Sequence, residues 1–125
     1  MNASEVLGAA RAAAKLALAR ALGAAVEFSH RGAPAATLWV RFLDAGIRCS
    51  NEGGILTEQR FLRLEAPVQT GFPRAVGAAE PVTPGDLVRC QQRNYSVLDP
   101  IEKDPDGFVY RLHCVERRRL AGGAR

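Results

Sequence analysis

Histidine and cysteine are scarce in this chain: His30 and His113 are the only imidazoles and Cys49, Cys90 and Cys114 the only thiols among 125 residues. An odd cysteine count without a C-x-x-C pair supplies no disulfide framework and predicts reduced thiols in an intracellular chain. No two of these ligands lie at the short spacing by which one turn grips zinc, so no metal site is expected. Nucleophilic catalysis needs a Ser or Cys beside a His base and an orienting acid. His113 and Cys114 are neighbours on one expected strand, where successive side chains point to opposite faces, so they cannot pair with each other. His30 with Cys49 or Cys90 is the remaining combination, and no surrounding motif supports it. There is no P-loop and no G-x-G-x-x-G. Aromatic residues make up only 6%, which leaves little for stacking nucleic-acid bases. Trp39, Tyr95, Phe108 and Tyr110 fall in expected strands, where core packing is the default. No basic, apolar and small-residue leader opens the chain, and its Ala-rich start is broken by Arg11, Lys15 and Arg20. Neither a secretory signal nor a membrane span is expected. A soluble protein follows, in which Asn94-Tyr95-Ser96 fits the glycosylation pattern but stays unmodified.

What is present suits one globular domain over residues 1–125. Hydrophobic residues make up 47%, enough for a core at this length. The formal charge of +4 is carried almost wholly by arginine, with lysine only at Lys15 and Lys103. With the excess of Ala and Gly this fits GC-rich coding as well as selection for a polyanionic partner. Residues 3–22 predict a helix: Ala, Leu, Arg and Lys dominate, Asn2 with Glu5 three residues later reads as a capping pair, and Gly23 supplies the stop. Leu7, Leu18 and Leu22, with Ala14 between them, fall on one side and are expected to form its thin apolar face; Arg11 and Lys15 sit elsewhere on the surface. Such a helix serves equally to pack on a neighbouring subunit or to cover its own sheet.

From residue 24 the period becomes two. Val26, Phe28 and His30 alternate with Glu27 and Ser29, the Arg31-Gly32-Ala33-Pro34 turn follows, and Thr37 to Phe42 forms a second strand with Leu38, Val40 and Phe42 on one face. Residues 43–57, with Asp44, Gly46, Asn51, Gly53 and Gly54, read as a long polar loop, and a strand resumes from Glu58 to Glu65. Four prolines and two glycines make residues 66–84 an extended, mobile excursion. The last third reads as a meander: Leu87 to Gln91, Tyr95 to Leu98, and Phe108 to Glu116 after the Asp104-Pro105-Asp106-Gly107 turn. Glu102, Asp104, Asp106 and Gly107 share the opening rhythm of a calcium loop, but the twelfth position is His113 and the flanks are strands, so a solvated hairpin tip explains them more simply. A basic tail, 117–125, ends the chain. The expected fold is mainly β (α+β), a small antiparallel barrel or sandwich with one N-terminal α-helix, long loops at 43–57 and 66–84, and no bound cofactor.

The stretch Val82-Thr83-Pro84-Gly85-Asp86-Leu87-Val88-Arg89, then Asn94-Tyr95-Ser96-Val97-Leu98-Asp99, then Asp104-Pro105-Asp106-Gly107 and a strand closing in Glu116-Arg117-Arg118 resembles the final meander of the head-to-tail joining proteins of lambda-like tailed phages. The order of helix, hairpin and long loop over residues 3–65 agrees, while the Pro-rich insert at 66–81 and the Ala-rich helix depart from it. The resemblance implies a structural, non-enzymatic protein of the virion neck, assembled in the host cytoplasm. It forms a ring, typically of six copies, that closes the portal channel after DNA packaging and offers the tail its docking surface. Its partners would be further copies of itself, the portal or adaptor, the tail tube or terminator, and genomic DNA in the channel, with no membrane. On that reading Leu7, Arg11, Lys15, Leu18 and Arg117, Arg118 and Arg119 are the expected ring contacts. Arg48, Asn51, Glu52, Gln69 and Arg74 are the expected channel or docking residues. The alternatives are another neck or tail ring (an adaptor or a terminator), a nucleic-acid-binding barrel, or a cysteine-dependent enzyme.

Overall fold

The computed structural model describes residues 2–30, 34–69, 82–105 and 107–116. The turn at 31–33, the middle of the excursion (70–81, with Arg74), Asp106 and the tail with Arg117, Arg118 and Arg119 lie outside the described residues. The elements in order are α1 (Ala3–Leu22), β1 (Ala24–Ser29), β2 (Ala36–Glu52), β3 (Ile55–Pro67), β4 (Leu87–Cys90), β5 (Arg93–Val97), β6 (Glu102–Lys103) and β7 (Val109–Glu116).

Six strands close a barrel in the order β3-β2-β1-β4-β5-β7, with β7 pairing back onto β3 and the two-residue β6 alongside β7. Every pairing is antiparallel. Alternation puts Val26 and Phe28, Leu38 and Val40, Leu62, Leu64 and Ala66, Val88, Tyr95 and Val97, and Tyr110, Leu112 and Cys114 inside, all within one buried cluster. Closure leaves the body of the sheet without the open edges that invite aggregation. Of the expected aromatic core, Tyr95 and Tyr110 are buried; Trp39 and Phe108 are only half-buried, and Phe42 is 40% exposed.

The largest departure from the sequence reading is the supposed loop 43–57. It is a continuous β2–β3 ribbon paired from Asp44↔Arg63 to Glu52↔Ile55, turning only at Gly53 and Gly54. Their φ values of +60° and +84° give the two-residue turn whose twist matches a hairpin. β3 also begins before Glu58 and runs beyond Glu65 to Pro67, which sits at the strand end opposite Val109. Val68 continues inward by donating to Phe108 O at 2.9 Å, and Val82 returns fully into the core, so both roots of the excursion are fixed.

The helix begins as expected: Asn2 Oδ1 accepts the Glu5 amide at 2.8 Å and Asn2 Nδ2 reaches Glu5 Oε1 at 3.3 Å. Its packing face differs. Gly8, Ala12 and Ala19 are the buried residues, while Leu7, Leu18 and Leu22 are 65%, 43% and 75% exposed. The cause is proximity: α1 lies on the outer side of β1, β2 and β3, so close that only residues with little or no side chain fit beneath it.

The β4–β5 turn is tight, and Gln91 and Gln92 both hold left-handed backbone, at φ 52° and 66°. Side chains that branch beyond Cβ gain nothing there that offsets the strain, whereas Asn-Gly suits such a turn. Gln91→Asn with Gln92→Gly is expected to stabilise the protein by about 1 kcal/mol, read as a higher urea midpoint with unchanged slope.

Candidate assembly surface

Above the last β3–β7 pair, Phe61↔Val115, and the last β1–β2 pair, Ala24↔Val40, the β2–β3 ribbon leaves the barrel as an arm. A register shift between Phe42 and Asp44 inserts Leu43 and changes which residues continue the inner face. Beyond it Ala45, Ile47, Cys49 and Asn51 share that face with Leu62, Arg60, Glu58 and Leu56. Gly46 and Arg48 lie on the outer face with Phe61 and Gln59. From Ile47 to Glu52 the arm rises about 17 Å at strand pitch. At its root the Phe61 ring touches the space beside Gly46, carries the Arg48 guanidinium 5.1 Å from its centroid, and meets His113 edge-on at 6.3 Å. Those contacts stiffen the root on its outer side. On the inner side Ile47, Glu58, Arg60, Arg93 and Glu116 line a cleft of about 210 Å³. There Arg93 donates to Glu116 at 2.8 Å, and that hydrogen bond raises the Arg93 pKa further.

The arm gathers exposed apolar residues: Phe42, Leu43, Ile47, Ile55 and Leu56, the last two 67% and 69% exposed. Arg48 and Asn51 are exposed on it, and Glu52 ends β2 beside the turn. The Gln69 side chain, expected at a channel or docking loop, is engaged within the chain. Its side-chain amide imitates a strand, accepting from Trp39 N at 2.7 Å and donating to Trp39 O and Pro67 O at 2.9 Å. That clamps the start of the excursion to β2.

On the helix, Val6, Leu7, Leu18 and Leu22 form a second exposed apolar strip. Arg11 and Lys15 are engaged within the chain instead of standing apart from the sheet. Lys15 Nζ contacts both oxygens of Glu65 at 3.1 Å, and Arg11 reaches Asp104 at 3.5 Å. Arg111 joins the two carboxylates, 2.9 Å from Asp104 and 3.8 Å from Glu65. Asp104 of the calcium-like rhythm is thus held by arginines.

The Gly85-Asp86 strand opening also has a structural account. Gly85 takes φ 93°, and buried Asp86 accepts from Thr83 N at 2.8 Å and Thr83 Oγ1 at 3.1 Å. It also sits 2.6 Å from His30 Nδ1, a pairing with no local sequence signal. His30 is therefore committed to Asp86 and not to a thiol. Among the described residues no three His, Cys, Asp or Glu side chains gather as a metal site, and no helix is long and apolar enough to cross a membrane.

The thiols differ sharply: Cys49 is exposed on the arm, Cys90 is half-buried and Cys114 is fully buried. Burial pushes Cys114 up to about 12 from 9.0 and raises Cys90 and Tyr95 as well. Above pH 9 the unfolded chain releases these protons before the folded one does. Their contribution to stability is complete below the ordinary thiol value and lost as pH rises from 9 towards 12. The slope is roughly 1.4 kcal/mol per pH unit for each ionising group. Urea midpoints should therefore fall across that range, less steeply for Cys114→Ala, and a flat profile would contradict the burial. A thiol reagent at neutral pH should label Cys49 first and Cys114 last.

No protein-family model matches the chain and no curated protein matches it, so the geometry of its own residues carries the functional reading.

Proposed function

We propose that this protein is a structural subunit of a phage neck, a head-to-tail connector that assembles as a ring, closes the portal channel after packaging and receives the tail. The observation that supports it most is the placement of exposed apolar side chains. Among the described residues the large ones fall on two separate surfaces, the flank of α1 and the arm. Neither surface covers the other within one chain, because the arm leaves the barrel while α1 lies against its side. Two different patches on identical subunits make head-to-tail contacts, and these close into a ring when the rotation per subunit divides a full turn. Large apolar side chains left exposed on two separate elements are material for contacts with other copies. Leu7 and Leu18 remain on the candidate ring surface, whereas Arg11 and Lys15 act through holding the helix in place. Arg48 on the outer face of the arm and Arg60 on its inner face each offer a cation, one of them to DNA in the channel.

Native mass spectrometry of the full chain, with identification of what copurifies from infected or induced cells, tests this. Rings that carry portal or adaptor on one side and tail components on the other support it. A chain that stays monomeric at high concentration and is missing from assembled particles overturns it. Copurification with the portal alone or with the tail tube alone would move the same ring to an adaptor or a terminator.

A further inference from the structure

The arm raises a physical difficulty. A two-stranded ribbon is at best marginally stable in water, and a third strand is the usual remedy. Within the barrel β3 has a neighbour on each side, β2 and β7, but the β7 pairing stops at Phe61↔Val115 while β3 extends on to Ile55. Among the described residues no strand pairs with the β7-facing edge of β3 above Phe61. β7 itself ends at Glu116, one residue past Val115 and at the foot of that open edge. The next step of the same register sets Glu116 opposite Arg60, and both line the cleft of about 210 Å³ at the root of the arm.

We propose that residues 117–121 carry β7 onward as a third strand of the arm, laid along the open β3 edge of their own chain. This segment lies outside the described residues; its sequence is Arg117-Arg118-Arg119-Leu120-Ala121. Continued unchanged, the β3–β7 register pairs Gln59 with Arg117, Glu58 with Arg118, Thr57 with Arg119, Leu56 with Leu120 and Ile55 with Ala121. On the inner face charge then alternates across the strands, Arg60 against Glu116 and Glu58 against Arg118, and opposite charges in such positions stabilise a sheet. One step higher Leu120 meets Leu56, which the described residues leave 69% exposed. On the outer face Gln59 and Thr57 put no like charge opposite Arg117 and Arg119. A slip by one residue would part Glu116 from Arg60 and Leu120 from Leu56, so the pattern fits one register. Five residues bring the segment level with Ile55, where β3 begins, and so cover the whole edge. The occupant is the chain's own segment because β7 delivers it to the foot of the edge in the antiparallel direction. The inference concerns one chain and stands apart from the ring reading.

Cysteine pairs in the full chain test it, with Cys49→Ser removing the exposed thiol. Glu58→Cys with Arg118→Cys, and Thr57→Cys with Arg119→Cys, probe two successive cross-strand positions, one of which has the closer spacing of a non-hydrogen-bonded pair. The expected result is a disulfide within single chains from at least one pair, formed at a rate that dilution does not change. Glu58→Cys with Arg119→Cys places the thiols on opposite faces and should react at least about 10-fold more slowly. Hydrogen exchange supplies a second reading. Amides of residues 55–60 should exchange about 10-fold more slowly in the parent than in the full chain carrying Arg118→Pro and Arg119→Pro, which removes two ladder donors, while barrel amides keep their rates. Equal exchange in the two proteins, with matched pairs linking no faster than the mismatched one, would overturn the third strand. A disulfide found only in covalent dimers would overturn it as well, since the segment would then lie on a neighbouring copy. Circular dichroism of each variant confirms that a lost cross-link does not reflect misfolding.

Discussion

Gly23→Ala is expected to cost about 4 kcal/mol and to lower the melting temperature by roughly 15 °C, a large fraction of the 5–15 kcal/mol that holds an ordinary domain together. A β-carbon at this position would lie 2.0 Å from Val40 O and 2.7 Å from Ala19 O. Both are backbone atoms. Ala19 O already accepts the Gly23 amide at 2.8 Å, closing the helix, and Val40 belongs to the central part of β2, opposite Ala24. Neither can step aside without lifting the end of α1 from the sheet. The backbone here has φ −100°, so the requirement is for space and not for left-handed freedom. Gly46→Ala is the control. Its new carbon would meet only the edge of the Phe61 ring, at 3.2 and 3.3 Å, and a half-buried ring can tilt. That variant should lose less than about 1 kcal/mol. Differential scanning calorimetry on the two proteins decides the matter: melting of both within a few degrees of the parent would mean that helix and sheet are not in such close contact.

The same contact explains which parts of the helix were legible in the sequence. Its extent, its Asn2 cap and its Gly23 stop are local properties, and all appear as expected. Its buried face is not local. A hydrophobicity pattern ranks leucine above alanine and assigns Leu7, Leu18 and Leu22 to the core, but the approach enforced at Gly23 admits only Gly8, Ala12 and Ala19. The leucines are displaced onto the flank, where another surface must be sought for them. In the strands, alternation identified the inward residues wherever a strand has one wet and one buried side. It fails on the arm because both faces there are exposed, so selection does not alternate the residues and Asp44, Gly46, Asn51, Gly53 and Gly54 look like loop composition. The paired glycines were the available signal, since Gly-Gly between two extended segments suits a two-residue hairpin turn.

Closure of the barrel and the charge network depend on distant pairs. Nothing near β7 announces that it joins both β5 and β3, and a barrel and a sandwich share the same alternation until those pairings are known. Arg11, Lys15, Glu65, Asp104 and Arg111 are scattered over the chain, and each reads as a solvated surface charge on its own. Only the fold shows that Glu65 and Asp104 are buried beneath α1. Arg48 and Asn51, chosen as docking residues from a supposed loop, do stand exposed on the projecting element, whereas Gln69, chosen on similar grounds, closes a backbone gap at Trp39.

The buried network yields the second large effect, and its sign depends on which partner is removed. Lys15→Met leaves the Glu65 carboxylate, whose side chain is 6% exposed, with Arg111 Nε at 3.8 Å as its remaining cation. A buried carboxylate left with so distant a partner costs about 3 kcal/mol. Glu65→Gln should cost less, about 1–2 kcal/mol, because the amide oxygen still accepts from Lys15, Lys15 is 26% exposed and can turn towards water, and Arg111 keeps Asp104 at 2.9 Å. Lys15→Met combined with Glu65→Leu removes both desolvated charges together and fills the space with apolar side chains, an exchange that is often neutral. The double variant is therefore expected to be more stable than Lys15→Met alone by about 2 kcal/mol. High salt should leave that difference nearly unchanged, since ions reach a buried pair poorly. Urea denaturation of the parent, of Lys15→Met, Glu65→Gln and Glu65→Leu alone, and of the double variant measures this coupling directly. If the double variant is the least stable of them, with the losses simply adding, then Lys15 and Glu65 act independently and the helix is held to the barrel by its alanine face alone.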